Sequence, residues 1–106
     1  MSLDISLILD GKVIFDTNIT HNLGIMASES GIYNACWCPN KINCYEAKDV
    51  IPILESGLKE LKDCPEKFKK FNSSNGWGTY DAFIPWIENY LDTCKKYPTA
   101  LIHTFK

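Results

Sequence analysis

The stretch L-D-I-S-L-I-L-D-G-K-V-I-F-D, residues 3–16, constrains the fold more than any other part of this chain. Ile5, Leu7 and Leu9 fall on one face of an extended strand, and Val13 and Phe15 continue that face after Asp10-Gly11. Period-two alternation marks a strand with one buried side. Asp-Gly between two such runs provides the residues that tolerate a tight hairpin turn. An N-terminal β-hairpin is therefore expected. At the other end, P-T-A-L-I-H-T-F-K (98–106) sets Ala100, Ile102 and Thr104 against Leu101, His103 and Phe105, and reads as a third strand returning to the hairpin.

Between these strands the period changes. In N-I-T-H-N-L-G-I-M-A-S-E-S-G (18–31), Ile19, Leu23, Met26 and Ser30 lie at helical spacing, with Gly31 placed for a left-handed C-terminal cap. Gly24 weakens that helix or lets a neighbour approach it closely. Residues 31–45 have no clean period and read as a loop. Residues 47–64 carry Ile51, Leu54, Leu58 and Leu61 as one apolar stripe. Pro52 sits in the first turn of this helix if Asp49 caps it, or kinks it if it begins near Asn43. A short helix opens at Asp63-Cys64-Pro65-Glu66 and runs to Phe71. Thr79 then caps a last helix with Phe83, Ile87, Tyr90 and Cys94 along one stripe and Pro85 in its second turn. The expected class is α+β: a small antiparallel sheet, made of the hairpin and the C-terminal strand, packed against three or four helices in a single domain over residues 1–106.

Composition narrows the function. Eleven lysines face thirteen acidic residues, and the chain has no arginine. Arginine is the residue suited to bidentate phosphate and guanine contacts, so its absence argues against nucleic acid as a partner. The lysine-rich stretch 59–70 alternates with Glu60, Asp63 and Glu66 and reads as a solvated face. No apolar run is long enough for a membrane span. The first residues lack the basic start and apolar core of a signal peptide, and five cysteines cannot close into a full disulfide set. Reduced thiols in the cytoplasm are the resulting expectation. Cys36, Cys38 and Cys44 lie within nine residues, with His21 as a conceivable fourth zinc ligand. Yet C-x-C does not supply the usual pair spacing, so no metal is expected. No phosphate loop, serine elbow or zinc-protease motif is present, and no cofactor is expected.

Two polar tracts hold the candidate site. Asn18, Thr20, His21 and Asn22 crowd amide, hydroxyl and imidazole groups where a strand hands over to a helix. Helix capping accounts for one or two of them. His21 reads first as a hydrogen-bonded structural histidine, and as a general base it would need Asp81 or Asp16 to orient it. The second tract is N-G-W-G-T-Y-D (75–81), where two glycines bracket Trp77. Trp77 is either a core plug or a pocket wall; in both versions its ring is expected to be largely buried beside residues 18–22, with its indole N–H bonded. Tyr33 and Tyr80 would add stacking area.

The same tracts carry a resemblance. N-I-T-x-N at 18–22, G-I-Y at 31–33, G-L-x-x-L at 57–61 and N-G-W-G-T-Y at 75–80 are similar to motifs of a family of small uncharacterised proteins from phages, prophages and bacterial genomes. The likeness spans most of the chain and implies a setting, phage-related, without implying an activity. The thiols at 36–44, Pro52 and Pro85 lie outside its pattern.

The expected function is a non-catalytic binding module. Asn18, Thr20, His21, Asn22, Tyr33, Trp77 and Tyr80 would line a recess for a small polar ligand or a partner segment. The alternative is a structural interaction module, with a homo-oligomer joined through an exposed strand edge as one form. A small enzyme using His21 ranks below both.

Overall fold

In the computed structural model, which describes residues 2–106, the hairpin consists of β1 (Ser2–Leu9) and β2 (Lys12–Thr20). Asp10 and Gly11 both have positive φ (54° and 76°), the requirement of the two-residue turn that matches strand twist. β3 (Leu101–Phe105) pairs antiparallel with β1, so the sheet order is β2-β1-β3 and β1 is central. Leu3, Ile5 and Leu7 are completely buried on its inner face.

The alternation of β2 does not continue that face as the sequence suggests. The register passes from Leu7↔Phe15 to Ile8↔Val13, leaving Ile14 as the extra residue of a bulge. Phe15 and Ile14 pack toward the core, while Val13 is turned outward and is 58% exposed. One added residue reverses every side chain beyond it.

The handover from strand to helix also differs from the sequence reading. β2 runs through Asn18 and Ile19, because Ile19 fills the inner face opposite Leu3. Thr20 then stops the strand: its hydroxyl accepts the Asn22 N–H at 3.3 Å, opening a 3₁₀ turn at His21–Leu23 that leads into α1 (Gly24–Glu29). Residues 31–45 are not a loop. They hold α2 (Tyr33–Trp37) and a 3₁₀ turn at Pro39–Ile42, with Ala35, Cys36, Trp37, Cys38 and Pro39 buried. A five-residue helix buried on most of its surface shows no period, so α2 left no signature. It brings the α-helices of the described residues to five where three or four were expected.

The two long helices, α3 (Ala47–Asp63) and α5 (Tyr80–Lys96), pack together, with α4 (Pro65–Lys69) between them in sequence. α3 begins after Glu46, earlier than an Asp49 cap and later than a start at Asn43. Asp49 instead lies inside the first turn, accepting the N–H groups of Tyr45 and Glu46 at 3.0 Å each. Those two bonds hold its carboxyl below the usual carboxylate range. Pro52 is thus inside the helix, on an exposed position, and deprives the Lys48 carbonyl of its helical donor. In α5 the expected cap is present, Thr79 Oγ1 accepting the Ala82 N–H at 3.3 Å. Phe83, Ile87, Tyr90 and Cys94 are all fully buried. No helix of the described residues is long and apolar enough to cross a membrane.

The buried line of α3 is Val50, Leu54, Gly57 and Leu61, with Ile51 and Leu58 at its margin. Gly57 faces the turn that precedes α2: a Cβ there would lie 2.0 Å from Ile32 Cγ2 and 3.1 Å from the Ser30 carbonyl oxygen. Gly24, by contrast, has helical φ and room for a methyl group, 3.5 Å from the Tyr33 ring. Gly57→Ala is therefore expected to cost about 1–3 kcal/mol through overpacking. Gly24→Ala should add about 0.4–1 kcal/mol by restricting the unfolded chain. Urea unfolding followed by circular dichroism measures both, and opposite signs are required.

Candidate functional site

The polar corner and the glycine-flanked loop, 55 residues apart, meet in space. Loop residues 72–79 follow α4 and are shaped by Asn75, whose side-chain oxygen accepts the Ser73 hydroxyl at 2.6 Å and the Trp77 N–H at 2.9 Å. The Ser73 N–H donates to the Gly78 carbonyl at 3.1 Å and closes the loop. This delivers the Trp77 carbonyl to the Asn22 side-chain amide, which donates to it at 2.9 Å. Gly78 makes the approach possible. Its φ is +103°, and a Cβ there would lie 2.9 Å from Asn22 Cβ and 3.3 Å from Thr20 Cγ2.

An open groove of about 710 Å³ lies along this junction. Asn18, Thr20, His21 and Asn22 form one wall, Asn75 to Gly78 the other, and Trp86 of α5 reaches in from below. None of the lining residues is formally charged, in a chain that is 23% charged. Much of the hydrogen-bonding capacity of the wall is committed. Asn18 spends its amide hydrogens across the hairpin on Ser2 Oγ (2.8 Å) and Asp4 Oδ1 (2.6 Å), leaving its oxygen as an acceptor. Trp86 donates its indole N–H to Thr17 Oγ1 at 2.9 Å, which pins α5 to the inner face of β2.

His21 is held from behind. Its Nδ1 accepts the indole N–H of buried Trp37 at 2.9 Å. An indole nitrogen only donates, so the imidazole must present a lone pair at Nδ1 and carry its proton on Nε2. A general base needs a free lone pair, and this histidine has committed the only one it has. Among the described residues no carboxylate oxygen lies within 4.0 Å of either ring nitrogen, so neither Asp16 nor Asp81 orients it.

Trp77 corrects the sequence reading. It stands beside residues 18–22, but its side chain is 71% exposed and its indole N–H has no partner among the described residues. The indoles with bonded N–H groups are Trp37, which is buried, and Trp86, which is half-buried. The reason is local: the turn made by Asn75 and the two positive-φ glycines commits the Trp77 backbone to the corner and throws the ring outward. The core beneath is already filled by Phe83, Tyr90 and Trp86.

Tyr80 and Tyr33 also lie outside the groove. Tyr80 is 9% exposed and donates its hydroxyl to the Leu61 carbonyl at 2.8 Å, tying α5 to α3. Tyr33 stacks face to face on Trp37, centroids 5.0 Å apart, and lines a second, more apolar hollow of about 530 Å³ on the α1 side of His21. The structure thus gathers Asn18, Thr20, His21, Asn22 and Trp77 around one groove, and leaves Tyr80 in the core and Tyr33 in the second hollow, which it shares with His21. Asn75 lines the groove as part of the 75–81 tract, and Trp86 is a lining residue absent from the sequence reading. Trp86 was traceable, since it follows Phe83 by three residues along α5, one helical step on the buried side.

The thiols do not converge. Cys38 lies against Asn34 Oδ1, Cys44 against the carbonyls of Ile42 and Asp49, and Cys36 and Cys94 are enclosed in the core. No cluster of three metal-ligating side chains exists among the described residues. Burial pushes the Cys36 thiol well above the ordinary thiol range and the Cys94 thiol up to about 12, which keeps both protonated and inert.

Because the ring is in solvent, Trp77→Phe should leave stability within about 0.5 kcal/mol in thermal unfolding. Gly78→Ala, which combines a positive φ with a close approach, should cost about 1–3 kcal/mol. A large loss at position 77 would mean the ring is buried after all. Comparison with models of protein families, with curated proteins and with solved structures finds no match to this chain.

Proposed function

We propose that this chain is a non-catalytic binding module of the cytoplasm, and that the groove between the 18–22 corner and the 75–78 loop receives a small, uncharged polar ligand or a partner segment of the same chemistry. One observation carries the reading: an exposed indole and the remaining donors and acceptors of partly committed amide, hydroxyl and imidazole groups share a groove without any ionised side chain. Exposed aromatic surface beside polar groups is the composition of a recognition site. The absence of charge means that no counter-ion awaits a phosphate or an ammonium group. The tautomer of His21 favours binding over catalysis, because Nε2–H can donate to a ligand but cannot remove its proton.

The test is a panel of neutral metabolites, nucleosides, sugars and short uncharged peptides, read by thermal shift and tryptophan fluorescence. At least one class should raise the melting temperature and alter the emission, and Trp77→Phe should remove the emission change. Flat responses across the panel would defeat the ligand form of the reading.

A second reading is favoured by a different surface. Val13, Ile8 and Leu101 form one cross-strand row on the outer face of the sheet, with Val13 and Leu101 more than half exposed. Phe105 is 68% exposed on the same face, opposite Asp4, and the outer edge of β2 has no partner strand in the sheet. Exposed apolar residues beside an open edge suit an interaction module. Sedimentation velocity over a range of concentrations should then reveal a dimer that Val13→Lys abolishes. A monomer at every concentration would remove the homo-oligomeric form.

A further inference from the structure

We infer that the ligand of the groove is a neutral saccharide, a step that rests on reading the groove as a binding site. Three features of the lining point the same way. The first is charge. The groove lacks ionised side chains, and the nearest carboxylate bonded to its wall, Asp4, already receives the Asn18 amide at 2.6 Å. Ligands that need a counter-ion gain nothing there.

The second feature is that only one of the two indoles lining the groove is unstacked. Trp77 stacks on no other ring among the described residues, whereas Trp86 is occupied by Phe83 at 6.1 Å and Tyr90 at 5.7 Å. A flat heterocycle is held best between two rings. A pyranose needs one, because its apolar C–H face, slightly positive, lies against the negative face of an indole. Of the other apolar lining residues, Ile19 and Leu23 are nearly fully buried and Trp86 is half-buried, so the Trp77 ring is the most exposed apolar surface of the groove.

The third feature is the mixture of donors and acceptors left over. Asn18 retains only its oxygen, because both of its amide hydrogens are used on Ser2 and Asp4. Asn22 gives one hydrogen to the Trp77 carbonyl and keeps its oxygen. Asn75 has the reverse commitment: its oxygen accepts twice, so its amide hydrogens remain. His21 adds a donor at Nε2, fixed by Trp37. Acceptors and donors therefore stand side by side around one stacking surface. A hydroxyl group donates and accepts at once, so neighbouring sugar hydroxyls satisfy such a wall fully. Ligands whose edges carry only acceptors or only donors leave part of it unpaired.

The experiment uses the full chain labelled with ¹⁵N. The indole N–H signals serve as reporters, since Trp37 and Trp86 are bonded internally and Trp77 is free. The probes are maltotriose, cellotriose, mannotriose, a β-1,4-galactotriose and tri-N-acetylchitotriose, with adenosine and Ac-Gly-Asn-Gly-NH₂ as the two other neutral classes. Titration runs to about 20 mM, which covers weak binding. The expected result is that at least one trisaccharide shifts the Trp77 indole and the side-chain amides of Asn18, Asn22 and Asn75. Trp77→Ala should weaken that saccharide at least about tenfold, with the Trp37 signal unmoved as proof of an intact fold. If adenosine or the peptide shifts these signals and no saccharide does, the saccharide inference is overturned while the groove stands as a binding site. If no saccharide and no other probe shifts them, the inference is overturned as well. The broader thermal-shift panel then decides separately whether the groove binds anything.

Discussion

Burial of the inner face of β1 is the constraint from which the rest of the structure follows. Leu3, Ile5 and Leu7 are wholly enclosed, each contributing about 1.5–3 kcal/mol relative to exposure. That burial requires a strand on each side to satisfy the backbone and helices across one face to exclude water. It also determines where the chain can turn. β2 must stay extended until Ile19 has covered Leu3, so the break falls at Thr20 and no earlier. The polar corner thus sits at the open end of the sheet, where its side chains are not consumed by the core.

A second layer of constraint acts on the corner from behind and from the side. Trp37 fills the core under α1 and, needing a partner for its indole, takes the lone pair of His21. The loop after α4 closes on its own asparagine and presents a backbone carbonyl to Asn22. Both contacts use up part of each polar side chain and leave a defined remainder. The chemistry of the groove is that remainder: His21 as a donor, Asn18 as an acceptor, and the Trp77 indole, which stacks on no other ring among the described residues. Preorganisation of this kind lowers the ordering cost of binding, since the groups are already held.

Much of the fold was legible because its signals are local. Asp10-Gly11 announces the hairpin, Thr79 announces the start of α5, and the spacing of Phe83, Ile87, Tyr90 and Cys94 matches the face that α5 buries. What was illegible depended on neighbours. The bulge at Ile14 is one residue in a register, and no composition marks it. Helix α2 is too short and too enclosed to show a period. Gly57 resembles any helix-weakening glycine until Ile32 is seen packed against it. Of the site, the two tracts were visible as unusual clusters of polar groups and glycine. Their meeting was not, because it depends on one hydrogen bond and one missing Cβ between residues 55 positions apart.

Taken alone, the amino-acid sequence determined the strands, the long helices and the kinds of chemical group available at the strand-to-helix corner, since backbone propensity, capping and periodicity act within a few residues. Only the tertiary structure decided which way Trp77 points, which nitrogen of His21 carries the proton, and which tyrosines stay out of the groove. Those outcomes turn on what already occupies the neighbouring space. Core volume taken by Trp86, Phe83 and Tyr90 leaves the Trp77 ring no place inside, and the indole of Trp37 reaches His21 before any ligand can.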